Sequence, residues 1–193
     1  MYENLLNSSK LIPMKKLIFL LIAIMLITSC DKDGQIFASK DKLPPVTQTG
    51  ANTVGCLVNG KVFLPHAEGI NPEVNCFYQF VDGEFYFTMG FTDLRNGGSK
   101  SVIIQTRKTN LESGQTYLLN KNQVENADYS GGCGVYWLNS NNISYTNTIK
   151  TGELKITRVD LSHSIISGTF WFDAVNSAGE KVEIREGRFD WNY

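Results

Sequence analysis

Two glycine-containing turns, each between short apolar runs, constrain the fold of this chain more than any other feature of its sequence. In CLVNGKVFL, Asn59-Gly60 separates two such runs, and in CFYQFVDGEFYFTMGF, Asp82-Gly83 does the same. Asn-Gly and Asp-Gly tolerate the positive φ angles that two-residue hairpin turns require. Both stretches are therefore predicted to be antiparallel β-hairpins.

The Asp82-Gly83 turn also predicts which side chains of the second hairpin share a face. With Val81 opposite Glu84, every second residue of each strand points the same way. The face predicted to join the core consists of Cys76, Tyr78, Phe80, Phe85, Phe87 and Met89. The face predicted to point outward consists of Phe77, Gln79, Tyr86 and Thr88.

The C-terminal part of the chain shows the same alternation and one interruption of it. The predicted inward residues of IISGTFWFDAV are Ile166, Phe170, Phe172 and Ala174, and the outward ones are Ser167, Thr169, Trp171 and Asp173. In the next strand Val182 and Ile184 point inward, whereas beyond Glu186-Gly187 the apolar pair is Phe189 and Trp191. A β-bulge at Glu186-Gly187 is predicted to absorb the extra residue.

Further short segments between the two regions also favour strands, and no segment has a helical period of useful length. These segments are SVIIQTRK, QTYLL, GVYWLNS, ISYTNTIK and GELKITRVD. The sequence predicts one all-β domain over residues 54–193, a single antiparallel β-sandwich or flattened β-barrel of about eight to ten strands.

The N-terminal segment MKKLIFLLIAIMLITSC is typical of a bacterial lipoprotein signal. Lys15 and Lys16 precede an apolar run of eleven residues, which is shorter than the roughly 20 that a membrane-spanning helix needs. The run ends in Ile-Thr-Ser-Cys, which resembles a lipobox and implies that Cys30 becomes acylated after cleavage before it. Two or more acyl chains anchor a protein stably in a membrane.

The predicted organisation has three parts. Residues 1–29 form the signal peptide, with translation expected to start at Met14; residues 30–53 form the lipidated Cys30 and a flexible linker; and residues 54–193 form the domain. The linker contains Pro44-Pro45 and has no periodic apolar pattern. The predicted location is the cell envelope, lipid-anchored in the outer membrane and facing either the periplasm or the surface.

Charge gives no indication of a nucleic-acid partner. The chain has 18 basic and 19 acidic residues, and the part from Cys30 onward has 15 and 18. Nucleic-acid-binding domains carry a clustered basic patch or stripe, and none is visible in this sequence.

Three cysteines remain after lipidation of Cys30, in a compartment that permits disulfides. One disulfide and one thiol is the simplest arrangement. Cys56–Cys76 is the favoured pair, and Cys133 is the alternative partner. The other interpretation is three buried, unpaired thiols.

The sequence contains no recognisable catalytic, cofactor or metal motif. His66 and His163 lie in predicted loops without a second ligand at a suitable spacing. Carboxylates such as Asp173, Glu183 and Glu186 are scattered. No catalytic residue, cofactor or metal ligand is therefore predicted.

Outward-facing aromatic residues are the better indication of function. Trp171, Tyr86 and Trp137 are predicted to be exposed beside small polar residues, where they could stack on a sugar or hold an apolar ligand. The alternative is a second packing layer, in which a loop or the N-terminal linker covers the tryptophan.

Two stretches carry a family resemblance: KLPPVTQTGANTVGCLVNGKVFLP (42–65) and ISGTFWFDAVNSAGEKVEIREGRFD (166–190). They resemble an uncharacterised family of Bacteroidota lipoproteins of the Flavobacteria type. The resemblance implies an envelope location and a β-fold, and it carries no catalytic residue to this chain.

Three functions remain open from the sequence. The first is a lipid-anchored, non-catalytic module that binds a glycan, an apolar small molecule or another envelope protein. The second is a glycan-directed envelope hydrolase with an unrecognised carboxylate pair. The third is a small outer-membrane β-barrel, whose strands would need about 9–11 residues each.

Overall fold

The computed structural model describes residues 42–67, 73–95 and 98–193, and within those ranges the chain forms eleven β-strands and no α-helix. The strands are β1 (Thr53–Val58), β2 (Lys61–Phe63), β3 (Val74–Val81), β4 (Glu84–Asp93), β5 (Lys100–Arg107), β6 (Thr116–Leu119), β7 (Gly131–Asn139), β8 (Asn142–Tyr145), β9 (Gly152–Asp160), β10 (Ile165–Val175) and β11 (Lys181–Asn192). The predicted all-β class is confirmed, with one strand more than the upper end of the expected range. The predicted signal peptide and Cys30 lie outside the described residues.

The strands form one sheet in the order β2-β1-β11-β10-β9-β6-β7-β5-β4-β3, and β8 pairs with both β7 and β10. Beyond the ends of this path, an isolated bridge joins His66, after β2, to Asp93 at the end of β4. The sheet thus folds back toward its own beginning, which fits the predicted sandwich or flattened barrel.

The prediction of a purely antiparallel sheet is wrong for one pair of strands. Among the described residues, β6 and β7 pair in parallel through Leu119 and Gly132. Residues 120–130 connect the two strands, and a connection of this length lets the chain cross over instead of turning back as a hairpin. The sheet is therefore mixed.

Both predicted hairpins are present with the predicted registers. Asn59 and Gly60 have φ angles of 48° and 77°, and the two residues of the second turn have 51° and 86°. In the first hairpin Val58 faces Lys61, and in the second Val81 faces Glu84. The positive φ angles of both central residues are those of the turns that match the natural twist of paired strands.

The core lies between the inward faces of the two halves of the sheet. Phe87, Met89 and Phe91 of β4 are buried, and Phe91 packs against Phe170 of β10 with ring centroids 6.4 Å apart. Each fully buried side chain of this size contributes about 1.5–3 kcal/mol to folding. Phe80, which was predicted to be in the core, is 62% exposed instead, because it sits beside the turn at the tip of its hairpin.

The predicted bulge in β11 is present at Glu186. Phe170 pairs with Gly187, but Phe172 pairs with Ile184, so two residues of β11 lie opposite Trp171. Glu186 has a φ of 51°, and a Cβ on Gly187 would clash with the ring of Phe170. The bulge therefore needs the glycine. The extra residue of the bulge turns the apolar side chains that follow, such as Phe189, back toward the core.

The segment before β1, residues 42–52, is called the strap here. The sequence assigned these residues to a flexible linker, but they belong to the same compact unit as the strands. A Cβ on Gly55 of β1 would lie 3.1 Å from Cδ of Pro44, which shows how closely the strap packs on the sheet. The strap also buries Ser167, which was predicted to face outward.

Candidate functional site

The outer face of four neighbouring strands carries two rows of side chains. One row runs from Leu118 on β6 through Glu153 on β9 to Trp171 on β10. The next row consists of Thr116, Lys155, Thr169 and Arg188, on β6, β9, β10 and β11 respectively. Alternation puts these residues outside because their strand neighbours, such as Leu154 and Phe170, fill the core.

A cleft of about 300 Å³, called the Trp171 cleft here, lies between these two rows. Its lining includes Val46 of the strap, the indole of Trp171, and the bulge residues Glu186 and Gly187. Polar groups of both rows complete the lining: Thr116, Glu153, Lys155, Thr169 and Arg188. The cleft therefore combines one large aromatic ring with hydroxyl, ammonium, guanidinium and carboxylate groups.

The indole of Trp171 is held in place by two charged neighbours. Its Nε1 donates a hydrogen bond of 3.3 Å to Oε2 of Glu153, and the guanidinium carbon of Arg185 lies 5.5 Å from the ring centroid. Cation–π contacts of this length contribute about 0.5–1 kcal/mol at exposed sites. The side chain remains 37% exposed, so the ring is both fixed and accessible.

Arg185 is itself anchored to the sheet. It donates hydrogen bonds to the backbone oxygens of Phe172, at 3.1 Å, and Ile184, at 2.9 Å. It also forms an ion pair with Asp173, the outward residue that follows Trp171 on β10. Neither Arg185 nor Asp173 lines the Trp171 cleft, so these contacts leave the cleft side of the indole free for a ligand.

The charges of the Trp171 cleft are arranged unevenly. Arg188 donates to the carboxylate of Glu186 at 3.2 Å and, through Nε, to its backbone oxygen at 3.0 Å. Lys155 is exposed and forms no ion pair with any residue that the structure describes, and its cross-strand neighbours are Thr116 and Thr169. The free positive charge thus lies in the row of hydroxyl groups, one row away from the indole.

The strap is fixed beside the Trp171 cleft by one buried carboxylate. Asp190, 1% exposed, accepts hydrogen bonds from the amides of Thr49 and Gly50, at 2.8 Å each, and of Ala51, at 3.1 Å. Burial alone would raise the pKa of Asp190, but the hydrogen bonds that it accepts from Ser167 and from the strap amides outweigh burial and lower this pKa below its ordinary value. This network holds the strap so that Val46 forms part of the cleft wall.

The structure does not bring the three predicted stacking residues together. Trp171 lines the cleft described above, whereas Tyr86 lines another depression with Gln79 and Arg107. Trp137 is 37% exposed on β7, beside Ile143 of β8. Trp171 is the member of the set whose ring is both anchored and open to a cleft.

The predicted Cys56–Cys76 disulfide is absent, and Cys133 is also a free thiol. Cys56 lies in β1, near Tyr136, and Cys76 lies in β3, near Tyr193, so the two thiols occupy different parts of the core. Burial raises the pKa of all three thiols, and that of Cys76 to about 12.

The histidines do not form a reactive site in the described part of the chain. The backbone of His66 bridges to β4, and its side chain is exposed. His163 lies in the predicted turn, where its Nδ1 is 3.0 Å from Oδ2 of Asp160. Within residues 42–67, 73–95 and 98–193, no group of three side chains is placed to hold a metal ion.

Sequence reasoning missed most partners of Trp171. The alternation of GELKITRVD could have placed Glu153 and Lys155 outward, since Leu154 and Ile156 are its apolar residues. That Thr116 lines the cleft could not be predicted from neighbouring residues, because β6 and β9 are distant in sequence and pair only in the folded sheet.

Fold and site together define an all-β protein with a surface cleft built around a fixed tryptophan. The model of a family described as Domain of unknown function (DUF6252) matches residues 94–190, about half of the chain, and the chain belongs to this family. Apart from Val46, the lining of the Trp171 cleft lies within the matched residues. No curated protein and no solved structure matches the chain.

Among the residues that the structure describes, no helix is of a length and hydrophobicity that would cross a membrane.

Proposed function

We propose that the chain is a non-catalytic, lipid-anchored protein of the bacterial cell envelope that binds a glycan in the Trp171 cleft. The observation that carries this proposal is the indole of Trp171, fixed by Glu153 and Arg185 and 37% exposed beside the cleft. A flat, rigid ring offers contact area to the C–H face of a sugar at little cost in conformational entropy.

The polar lining supports a sugar over a purely apolar ligand. Sugars present hydroxyl groups around the rim of each ring, and these need hydrogen-bond donors and acceptors that surround the stacking surface. Thr116 and Thr169 can do both, Glu153 can accept, and Lys155 can donate. A purely apolar ligand would instead displace the water that is hydrogen-bonded to these groups and would offer no hydrogen bonds in return.

The anchor is proposed from the sequence pattern that ends in Cys30. Acylation of this thiol is favoured by three features: the charges of Lys15 and Lys16, an apolar run too short to span a bilayer, and the lipobox-like end. The resemblance of residues 42–65 and 166–190 to Bacteroidota lipoproteins supports the same location, in the outer membrane. Mass spectrometry of the purified protein should show an acylated N-terminal cysteine, and a Cys30→Ser variant should lose the acyl chains.

The binding proposal is tested with the full-length chain in a detergent that has no sugar headgroup. Binding to a glycan array is compared for the unmodified protein, Trp171→Ala and Trp137→Ala. Trp137 is an equally exposed tryptophan outside the cleft, so its variant is the matched control. Glycan binding should be lost in Trp171→Ala alone; absence of any glycan binding by the unmodified protein would refute the proposal.

A glycan hydrolase is the second candidate, because two carboxylates line the same cleft. Glu153 on β9 and Glu186 on β11 flank β10, and strands two apart are separated by about 9.5 Å. Inverting glycosidases hold their two carboxyl groups about 6.5–9.5 Å apart. Glu153 already accepts a hydrogen bond from Trp171, and Glu186 is already paired with Arg188. These contacts favour a binding protein over a hydrolase.

The two candidates differ in one measurement. A hydrolase would release new reducing ends from a glycan that binds, and Glu153→Gln and Glu186→Gln would each stop the release. A binding protein would return the bound glycan intact.

A further inference from the structure

We propose that the glycan bound by the Trp171 cleft is acidic, and that an anionic group on a sugar ring binds to Lys155 between Thr116 and Thr169. The inference rests on the proposed function, since it names the class of glycan that the same cleft would take. Its starting point is the separation of the two rows of side chains, one aromatic and acidic, the other basic and hydroxylic.

The first step is the position of the free cation. Lys155 pairs across the sheet with Thr116 on one side and Thr169 on the other, so a threonine flanks it on each side. Directly opposed residues on neighbouring strands have Cβ atoms about 4.5–5.5 Å apart. One carboxylate or sulfate ester bound to the ammonium can therefore also accept a hydrogen bond from the hydroxyl of one of the two flanking threonines.

The second step is that the two carboxylates of the cleft already have other partners. The carboxylate of Glu153 accepts from the indole of Trp171, and that of Glu186 pairs with Arg188. In the described part of the chain Lys155 has no ion-pair partner. A hydrogen bond to a charged group is worth more than a neutral one, so an anionic ligand gains most at this position.

The third step is the spacing between the ring and the cation. Thr169 and Trp171 are two residues apart on β10, which corresponds to about 7 Å along the strand. One pyranose ring and the acidic group attached to it span this separation. A sugar stacked on Trp171 would thus place its acidic group over Lys155, with its hydroxyl donors toward Glu153.

The test compares acidic oligosaccharides with matched neutral ones. The probes are oligogalacturonate and oligoalginate, the methyl esters of both, and a sulfated galactan with its desulfated form. Binding to the full-length chain in detergent is measured by calorimetry at 50 mM and 500 mM NaCl. At least one acidic probe should bind about 10-fold more tightly than its neutral partner at low salt, and the difference should shrink at high salt. The uronates and the sulfated galactan distinguish a carboxylate from a sulfate ester.

Two variants identify the cation. Lys155→Gln should lose the roughly 10-fold preference for the acidic probe, because its affinity for the acidic probe should fall far more than its affinity for the neutral one, to which glutamine can still donate. Lys61→Gln, at an exposed lysine on β2, should change neither. Equal binding of acidic and neutral probes would overturn this inference and leave the proposed function intact, whereas absence of all binding would overturn both.

Discussion

The hydroxyl of Ser167 donates a hydrogen bond of 2.7 Å to Oδ1 of Asp190, its cross-strand neighbour. Both side chains are buried although they lie on the outward face of the sheet. They are buried there because the strap crosses this part of β10 and β11 and directs its amides at the carboxylate. One acidic side chain thus connects the two C-terminal strands to the N-terminal segment of the domain.

Replacing this carboxylate should destabilise the domain. In Asp190→Asn one oxygen becomes an NH₂ group, which faces amide or hydroxyl donors and cannot accept from them. We expect a loss of about 2 kcal/mol in the free energy of unfolding, or about 4–8 °C in Tm, measured by thermal denaturation. Asp82→Asn is the control, because asparagine also suits the positive φ of that exposed turn. An unchanged Tm for Asp190→Asn would contradict the role of the strap network.

The same carboxylate should make part of the stability depend on pH. The pKa of Asp190 is lower in the folded protein than its ordinary value. Its contribution is therefore complete above the ordinary carboxyl pKa of about 4 and is lost as the pH falls toward the lower folded-state value. The difference in Tm between the unmodified protein and Asp190→Asn should be largest at pH 7 and shrink below pH 4. A difference that grows on acidification would reverse the expected sign.

The bulge in β11 should not tolerate a side chain at its glycine. Gly187→Ala would bring a methyl group into the ring of Phe170, which is itself packed in the core. We expect a loss of about 1–3 kcal/mol in the free energy of unfolding, measured by urea denaturation. Gly98→Ala is the matched control, because the nearest atom of the described residues would be 3.7 Å from its Cβ. Equal stability of the two variants would show that Phe170 moves aside without cost.

The three thiols should be inert in the native protein. Burial raises their pKa values, and a pKa of about 12 leaves about one Cys76 thiol in 10,000 as thiolate at pH 8. Iodoacetamide at pH 8 should modify Cys56, Cys76 and Cys133 only after unfolding in guanidinium, as measured by mass spectrometry. Recovery of a disulfide-linked peptide pair from native protein would contradict the free thiols of the structure.

The hydrogen bond between Trp171 and Glu153 should matter for ligand binding through the position of the ring. Glu153→Gln keeps an acceptor for Nε1, so the affinity for a bound glycan should fall by about 3-fold or less. Glu153→Leu removes the acceptor and should weaken binding by about 10-fold. In a Trp171→Phe background, where no N–H exists, the difference between the two substitutions should shrink to the part that Glu153 contributes by accepting from the sugar hydroxyl groups. A difference as large as in the protein with Trp171 would mean that the hydrogen bond to Nε1 contributes nothing to binding.

Local patterns were sufficient to predict the hairpins, the outward position of Trp171 and the bulge at Glu186. Each of these depends on residues close together in the chain, where turn chemistry and alternation determine the geometry. The exposure of Phe80 was missed because alternation predicts a face and not how far the core extends along it.

Features that depend on distant parts of the chain could not be predicted. The parallel pairing of β6 with β7 and the pairing of β6 with β9 follow from how the whole sheet closes. The sequence of the strap predicts a linker because the strap is held in place by hydrogen bonds to one carboxylate, Asp190, more than 130 residues away in the chain.

The hydrogen bonds at Asp190 also determine where a mechanical load would enter the domain. Tension applied to the chain ahead of residue 42 would first straighten the segment around Val46. It would then strain together, like a clamp, the three hydrogen bonds that adjacent backbone amides donate to Asp190. Because Val46 precedes this clamp, stretching would remove one side of the cleft while the clamp and the sheet behind it are still intact. A glycan held in the Trp171 cleft, as proposed above, would then lose one wall of its site before the sheet unfolds.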